Sequence, residues 1–218
     1  MRCEYYPDVI IDKLRIVRQQ AQQQAVTSRL NKRELDQAGR VQTSFIPSNL
    51  PDLPGWQISA TIEPARETSG DFFDFIKLSS GRFGIVIADV GDKGAGAALY
   101  MAMCRTLFRS YAPNYPDDPA RVLHDVNERI MSDTQNGIFL TAVYAILDPI
   151  HSTLIYANAG HNPPCYLNFD HKTGMRSLLP TGPLIGIFSD SAWINQKLKL
   201  TPGETLVLYT DGITEAQN

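Results

Sequence analysis

The sequence predicts an α+β protein, an antiparallel β-sandwich flanked by α-helices and preceded by a long helical linker. Three observations carry that expectation. Apolar, β-rich runs come in pairs separated by short turn segments, the pattern of hairpins rather than of strand–helix–strand crossovers. Two amphipathic stretches, at 97–111 and 119–131, interrupt the hairpins. A run without proline and almost without glycine precedes them all.

That first run spans about 9–45 and is rich in Arg, Gln, Leu and Ala, which suits one long helix or two in series. A 4-3 spacing passes through Ile10, Leu14, Val17, Ala21, Gln24, Ser28, Asn31, Leu35, Ala38, Gln42 and Phe45. The seam is apolar at its ends and polar in the middle, a partial coiled-coil pattern. It fits a surface helix lying on its own domain, or a linker that pairs with a second copy. The expectation combines them: 35–45 packs on the domain while the first half is free to dimerise. Pro47, Pro51, Pro54 and Gly55 then mark a boundary, giving a linker at 1–46 and a domain at 47–218.

Residues 56–62 alternate like a half-buried strand. Next comes the hairpin around which the chain is organised, 70–78 and 82–89 across Ser79-Ser80-Gly81. With the turn centred on Ser80, opposed positions sum to about 160. Phe75 then faces Ile85, Phe73 faces Ile87 and Asp71 faces Asp89. The hairpin is apolar on both faces apart from Asp74, so both faces should be covered. After the two helices, 139–147 and 153–157 form a second hairpin across Asp148-Pro149, and 165–168 a short strand. A last hairpin, 193–200 and 205–209, is expected to turn at Pro202-Gly203 and to deliver Asp211 at the tip of an interior strand.

Composition narrows the class. The chain has 218 residues, 43% hydrophobic and 20% charged, with a net charge of −3, enough for one sizeable domain and an appendage. That charge gives no reason to expect nucleic acid or an anionic membrane as the main partner. Cys3, Cys104 and Cys165 form neither a CxxC nor an even framework, so neither zinc nor disulfides are suggested. No apolar run reaches membrane-spanning length and no signal peptide is recognisable, so a cytoplasmic protein without membrane insertion is expected.

Like charges directly opposed on a sheet are destabilising. Asp71 against Asp89 at the end of an apolar hairpin therefore calls for a compensating cation, and all-oxygen ligands suit Mg²⁺ or Mn²⁺ better than zinc. Asp211 is a third strand-end carboxylate. Two divalent ions bridged by a carboxylate would activate a water for in-line attack at phosphorus, and Arg66 could grip a phosphate. Taken singly, each Asp is more simply a turn former or a helix cap; it is the opposition that favours metal. Gly94-Ala95-Gly96 lacks the third glycine and the following strand of a dinucleotide site. Cys104 lies among core residues of a helix with no paired His in view. His161, in a Pro-rich loop, suits a proton donor or a structural hydrogen bond.

Four segments now carry a resemblance: Thr68-Ser69-Gly70-Asp71-Phe72-Phe73-Asp74, Ala88-Asp89-Val90-Gly91-Asp92-Lys93-Gly94, Ala159-Gly160-His161-Asn162-Pro163-Pro164, and Tyr209-Thr210-Asp211-Gly212-Ile213-Thr214-Glu215-Ala216. In this order and spacing the chain, from about Leu35 onward, resembles the PPM-type serine phosphatases, more closely their SpoIIE/RsbU branch. The resemblance implies a helix-flanked β-sandwich, two Mn²⁺ or Mg²⁺ ions, and hydrolysis of phosphoserine or phosphothreonine by metal-activated water. It implies Asp71, Asp89 (the bridge), the Val90 carbonyl and Asp211 as metal ligands and, less directly, Arg66 at the phosphate. The implied substrate is a phosphorylated anti-sigma-factor antagonist, with the preceding helix as a regulatory switch in stress signalling. Ser69 stands where that branch usually has the first Gly of Gly-Gly-Asp. The branch also continues beyond Thr-Asp-Gly to a further metal Asp, so a domain truncated at its C-terminus is expected. A catalytically weak, phosphatase-like binding or signalling module is the alternative.

Overall fold

The computed structural model describes residues 7–64, 67–92, 94–134, 137–168 and 174–215, with side chains from Ile11 onward. One helix, α1 (Pro7–Thr43), precedes the hairpin of β1 (Phe72–Lys77) and β2 (Phe83–Val90). Helices α2 (Ala95–Tyr111) and α3 (Pro119–Asp133) follow. Strands β3 (Leu140–Asp148), β4 (Thr153–Ala159), β5 (Cys165–Leu167), β6 (Met175–Ser177), β7 (Gln196–Lys199) and β8 (Thr205–Val207) come next, and α4 (Asp211–Thr214) closes the described chain. The strands make a five-stranded sheet, β1-β2-β3-β4-β7, and a three-stranded one, β6-β5-β8. All the strand pairs are antiparallel.

The large sheet is covered on both faces, as its two-sided apolar pattern requires. On one face Phe72, Val86, Ala88, Ala142, Tyr144 and Ile146 pack against Met101, Cys104 and Phe108 of α2 and Val122, Val126 and Ile130 of α3. On the other, Ala145, Leu147, Leu154 and Tyr156 meet Tyr166 of the small sheet together with Leu53, Leu178 and Leu200. Asp118 caps α3, its carboxylate accepting from the Arg121 amide at 3.1 Å, and Pro119 fills the first turn.

The register of the first hairpin is the predicted one: Phe73 pairs with Ile87 and Phe75 with Ile85. Its turn is a single 3₁₀ turn in which Ser80 and Gly81 both take positive φ, 58° and 71°. Asp74, the polar interruption, is completely buried on the helix side. Arg109 grips it with Nε at 2.6 Å and a terminal nitrogen at 2.8 Å, and Arg105 Nε adds a third contact at 3.0 Å.

Helix α1 is continuous rather than two pieces. Its first half is exposed, including Leu14 (62%), Ile16 (53%) and Val17 (60%). The side chain of Ile10, the first seam position, lies outside the described residues. The other end packs on the domain through Gly39 and Gln42, both buried, while Phe45 stays exposed.

Three expectations are corrected. Residues 56–62 form no strand and belong to neither sheet, although Trp56 and Ile58 pack on the inter-sheet core. Their alternation reflects one-sided burial, which an extended segment achieves without a ladder partner. The last hairpin does not exist either. Pro202 and Gly203 do make the turn, with Gly203 at φ 89°. The flanking strands nevertheless join different sheets, Leu198 pairing with Leu154 and Leu206 with Tyr166. Both leucines point into the inter-sheet core from opposite sides, so the turn is a corner between layers. Finally, β8 is an edge strand, not an interior one; it ends at Val207, and Asp211 opens α4 instead of standing at a strand tip.

Candidate metal centre

The hairpin brings its two terminal carboxylates together. Strand β1 begins at Phe72, so Asp71 sits one position beyond the ladder, where the register continues toward Asp89. Asp89 is still inside β2, pairing on its other side with Thr141 of β3. The two carboxyl groups are within hydrogen-bonding reach, and Asp211 and Glu215 lie close enough to act on Asp89 through their charge. Asp71, Asp89 and Asp211 are all half-buried.

The loop before Asp71 is held in several places. Ser69 Oγ accepts from the Asp71 amide at 3.0 Å, and Thr210 Oγ1 donates to Asp71 Oδ2 at 2.8 Å. Gln42 of α1 clasps the Ser69 backbone, its amide nitrogen donating to the carbonyl and its oxygen accepting from the N–H at 3.0 Å. Gly39 lies on the Glu67 carbonyl so closely that no side chain fits there. Gly70 lies on the Val90 carbonyl, where a Cβ would stand 2.7 Å from the oxygen.

Electrostatics marks Asp89. Its pKa is pushed up to about 7, first by burial, then by the hydrogen bond and negative charge of Asp71, then by the charges of Asp211 and Glu215. The charges acting on it are all negative, and the donors are all oxygen. That is the chemistry a hard divalent cation satisfies. Among the described residues no three such side chains converge on one point. The group is a neighbourhood of carboxylates, tight at Asp71–Asp89 and looser toward Asp211.

His161 lies beside the cluster, 2% exposed. One ring nitrogen, Nδ1, is 2.7 Å from Thr141 Oγ1. Nε2 makes no well-formed hydrogen bond, although the Tyr209 carbonyl and the charges of Asp71 and Asp211 favour a proton on the ring. Burial outweighs them and holds its pKa down at about 4, so the imidazole is neutral at pH 7. Its backbone N–H is bound by the buried Asn158 side chain at 2.8 Å. Cys104 is fully buried and its thiol is pushed up by desolvation, as expected of a core residue. Gly94 caps α2 with φ 80°, and the next strand after the helices, β3, pairs antiparallel with β2, so the segment is not a dinucleotide-binding crossover.

The structure thus unites Asp71 and Asp89, sets Asp211 nearby, and brings the Val90 carbonyl against the same loop; Arg66 lies outside the described residues. Asp74, the other carboxylate of the hairpin, is committed to Arg105 and Arg109 and takes no part in the cluster. Sequence reasoning gives no role to Glu215 or Thr210 and places Gln42 only on the α1 seam. Glu215 was within reach of it, standing four residues after Asp211, the spacing of neighbours on one helical face. The bonds of Thr210 and Gln42 span 139 and 27 residues of chain and leave no local signature.

The helix-backed pair of antiparallel sheets is a PP2C-like fold. The SiaA-PP2C domain of Pseudomonas aeruginosa superposes with a TM-score of 0.70 at 21% identity, covering 86% of this chain and 74% of that one. Residues 79–218 match the family model described as Stage II sporulation protein E (SpoIIE), and the chain belongs to that family. Protein IcfG of Synechocystis sp. is 35% identical over 89% of this chain and 34% of its own length. Phosphoserine phosphatase RsbU of Bacillus subtilis is 31% identical over 85% of this chain and 55% of its own length. The chain therefore spans between about a third and about half of these curated relatives.

Proposed function

We propose that this chain is a metal-dependent protein serine/threonine phosphatase, with a linker at 1–46 and a phosphatase domain at 47–218. Its substrate would be a phosphorylated regulatory protein of the anti-sigma-factor-antagonist type, met in the cytoplasm. The observation that carries the reading is the carboxylate neighbourhood in which Asp89 is raised to about 7 by burial and by other anions. Asp71, Asp89, Asp211 and the Val90 carbonyl would hold the two Mn²⁺ or Mg²⁺ ions. Bound there, the ions supply charge neutralisation, an acidified water and electrophilic pull on phosphate oxygens. The protein's part is positional. Thr210 and Ser69 hydrogen-bond Asp71, Gly70 lets the loop close on Val90, and His161, neutral at pH 7, lies buried beside the cluster without adding charge. RsbU, a phosphoserine phosphatase by name and a sequence relative, supports the substrate class.

The competing reading is a catalytically weak phosphatase-like binding module, and the looseness of the cluster toward Asp211 favours it. Release of phosphate from a phosphoserine protein, measured with and without Mn²⁺, separates the two. Metal-dependent turnover supports the phosphatase, whereas phosphoprotein binding without turnover supports the module.

The exposed apolar seam positions Leu14 and Val17, part of the Ile10–Ala21 stripe, support a further proposal, self-association through α1. Replacing Leu14 and Val17 with Glu is expected to shift a dimer to monomer in sedimentation. A wild-type chain that is monomeric at high concentration would show α1 to be a surface helix only.

A further inference from the structure

Thr210 stands at the N-cap of α4 with extended backbone, φ −96° and ψ 167°. A threonine there ordinarily turns its hydroxyl inward to accept from a backbone N–H of the first turn. Thr210 makes no such bond. Its Oγ1 donates instead to Asp71 Oδ2 at 2.8 Å, a partner 139 residues earlier in the chain. The hydroxyl has left its local use for a carboxylate of the candidate centre.

Asp71 needs that support. Lying before β1, it has no ladder bond to fix its backbone, and it faces the like-charged Asp89. Ser69 Oγ accepts from its N–H at 3.0 Å and sets the backbone; Thr210 sets the carboxylate. The Thr210–Asp71 bond also joins the segment leaving β8 of the small sheet to the loop entering β1 of the large one. It therefore fixes how closely Asp211, the next residue, approaches Asp71.

We infer that Thr210 is a positioning residue of the metal site: by spending its hydroxyl on Asp71 rather than on its own helix, it orients that carboxylate and sets its spacing from Asp211. The inference rests on the metal-dependent reading above, and it concerns ion affinity rather than turnover. A hydroxyl hydrogen-bonded to a ligating carboxylate orients it and tunes its affinity, and loss of such an outer partner costs roughly 10–100-fold in metal binding.

The test is a Mn²⁺ titration of the full chain, followed by the electron paramagnetic resonance signal of the free ion, on wild type, Thr210→Val and Thr210→Ser. Thr210→Ala replaces the Val variant if circular dichroism shows the latter unfolded. The Val variant is expected to bind Mn²⁺ about tenfold more weakly and the Ser variant to stay within about twofold of wild type. The metal-free melting temperature should stay near wild type in the Ser variant and fall in the Val variant only by what one lost hydrogen bond to a carboxylate costs. Equal affinity in the Val variant and wild type overturns the inference. So does an equal loss in Ser and Val, or a lower metal-free melting temperature in Val with unchanged affinity, which is the signature of a merely structural threonine. Absence of saturable Mn²⁺ binding to wild type overturns the metal reading and this inference together. That result differs from failure of the positioning role alone, in which wild type binds and the Val variant matches it.

Discussion

Two carboxylates in the same hairpin have opposite surroundings. Asp74, on the helix-facing side of β1, is wholly buried and held by two guanidinium groups of α2. Asp89, at the end of β2, is surrounded by Asp71, Asp211 and Glu215. The first is a finished ion pair that fastens a helix to the edge of a sheet. The second is an arrangement that folding alone does not favour. Sequence pattern treats both as acidic interruptions of apolar strands, and only the partners tell a structural charge from a candidate ligand.

The comparison is broken most severely by neutralising the second carboxylate. Asp89→Asn is expected to abolish Mn²⁺-dependent phosphate release while leaving the metal-free protein folded and at least as stable as wild type, because it relieves repulsion with Asp71. Steady-state phosphate release and a metal-free melt check the two halves. Wild-type turnover in the variant would remove Asp89 from the site.

The mirror experiment is on Asp74. Replacing Arg105 and Arg109 together with Met leaves a buried carboxylate uncompensated, and a loss of about 3–5 kcal/mol in urea unfolding is expected. Arg109→Met alone should cost less, about 1.5–3 kcal/mol, since Arg105 remains at 3.0 Å. If neither change alters the urea midpoint, the pair does not fasten α2 to the sheet.

Acid titration gives the smallest and most specific contrast. The folded pKa of Asp89 is raised from an ordinary 3.8 to about 7, so its contribution to metal-free stability is present below about pH 4 and is lost as pH rises toward 7. His161 runs the other way. Its folded pKa is lowered from 6.5 to about 4, so its contribution is present above about pH 6.5 and is lost as pH falls through that window. The two oppose each other between about pH 4 and 7, which flattens the wild-type profile. Asp89→Asn leaves His161 unopposed, so urea midpoints measured without metal should fall more steeply with acid in the variant than in wild type. Parallel profiles would show that Asp89 does not titrate in this range.

Much of this was legible in the sequence, and the failures share a cause. The register of β1 and β2 follows from alternation plus a short turn, because the turn fixes which residues face each other. The helices follow from their stripes. What alternation does not carry is the identity of the neighbour. Residues 56–62 and β8 have strand-like patterns, yet the first is unpaired and the second an edge. The 202–203 turn looks like a hairpin in sequence because a corner between sheets uses the same residues. At the site, Asp71, Asp89 and Asp211 stand in local motifs and were found, whereas Thr210 and Gln42 act across long stretches of chain and were not.

The clasp between Gln42 and Ser69 gives α1 a mechanical meaning. A helix of 37 residues is ~55 Å long at 1.5 Å per residue, and among the described residues its hydrogen bonds to the domain lie at one end, two residues ahead of Asp71. Pivoting such a rod by one degree about that end sweeps its far end through about 1 Å. Run in reverse, a sideways displacement of about 5 Å at the free end turns the helix at the Ser69 clasp by only about 5°, so the rod is a fine angular adjuster of the segment it holds.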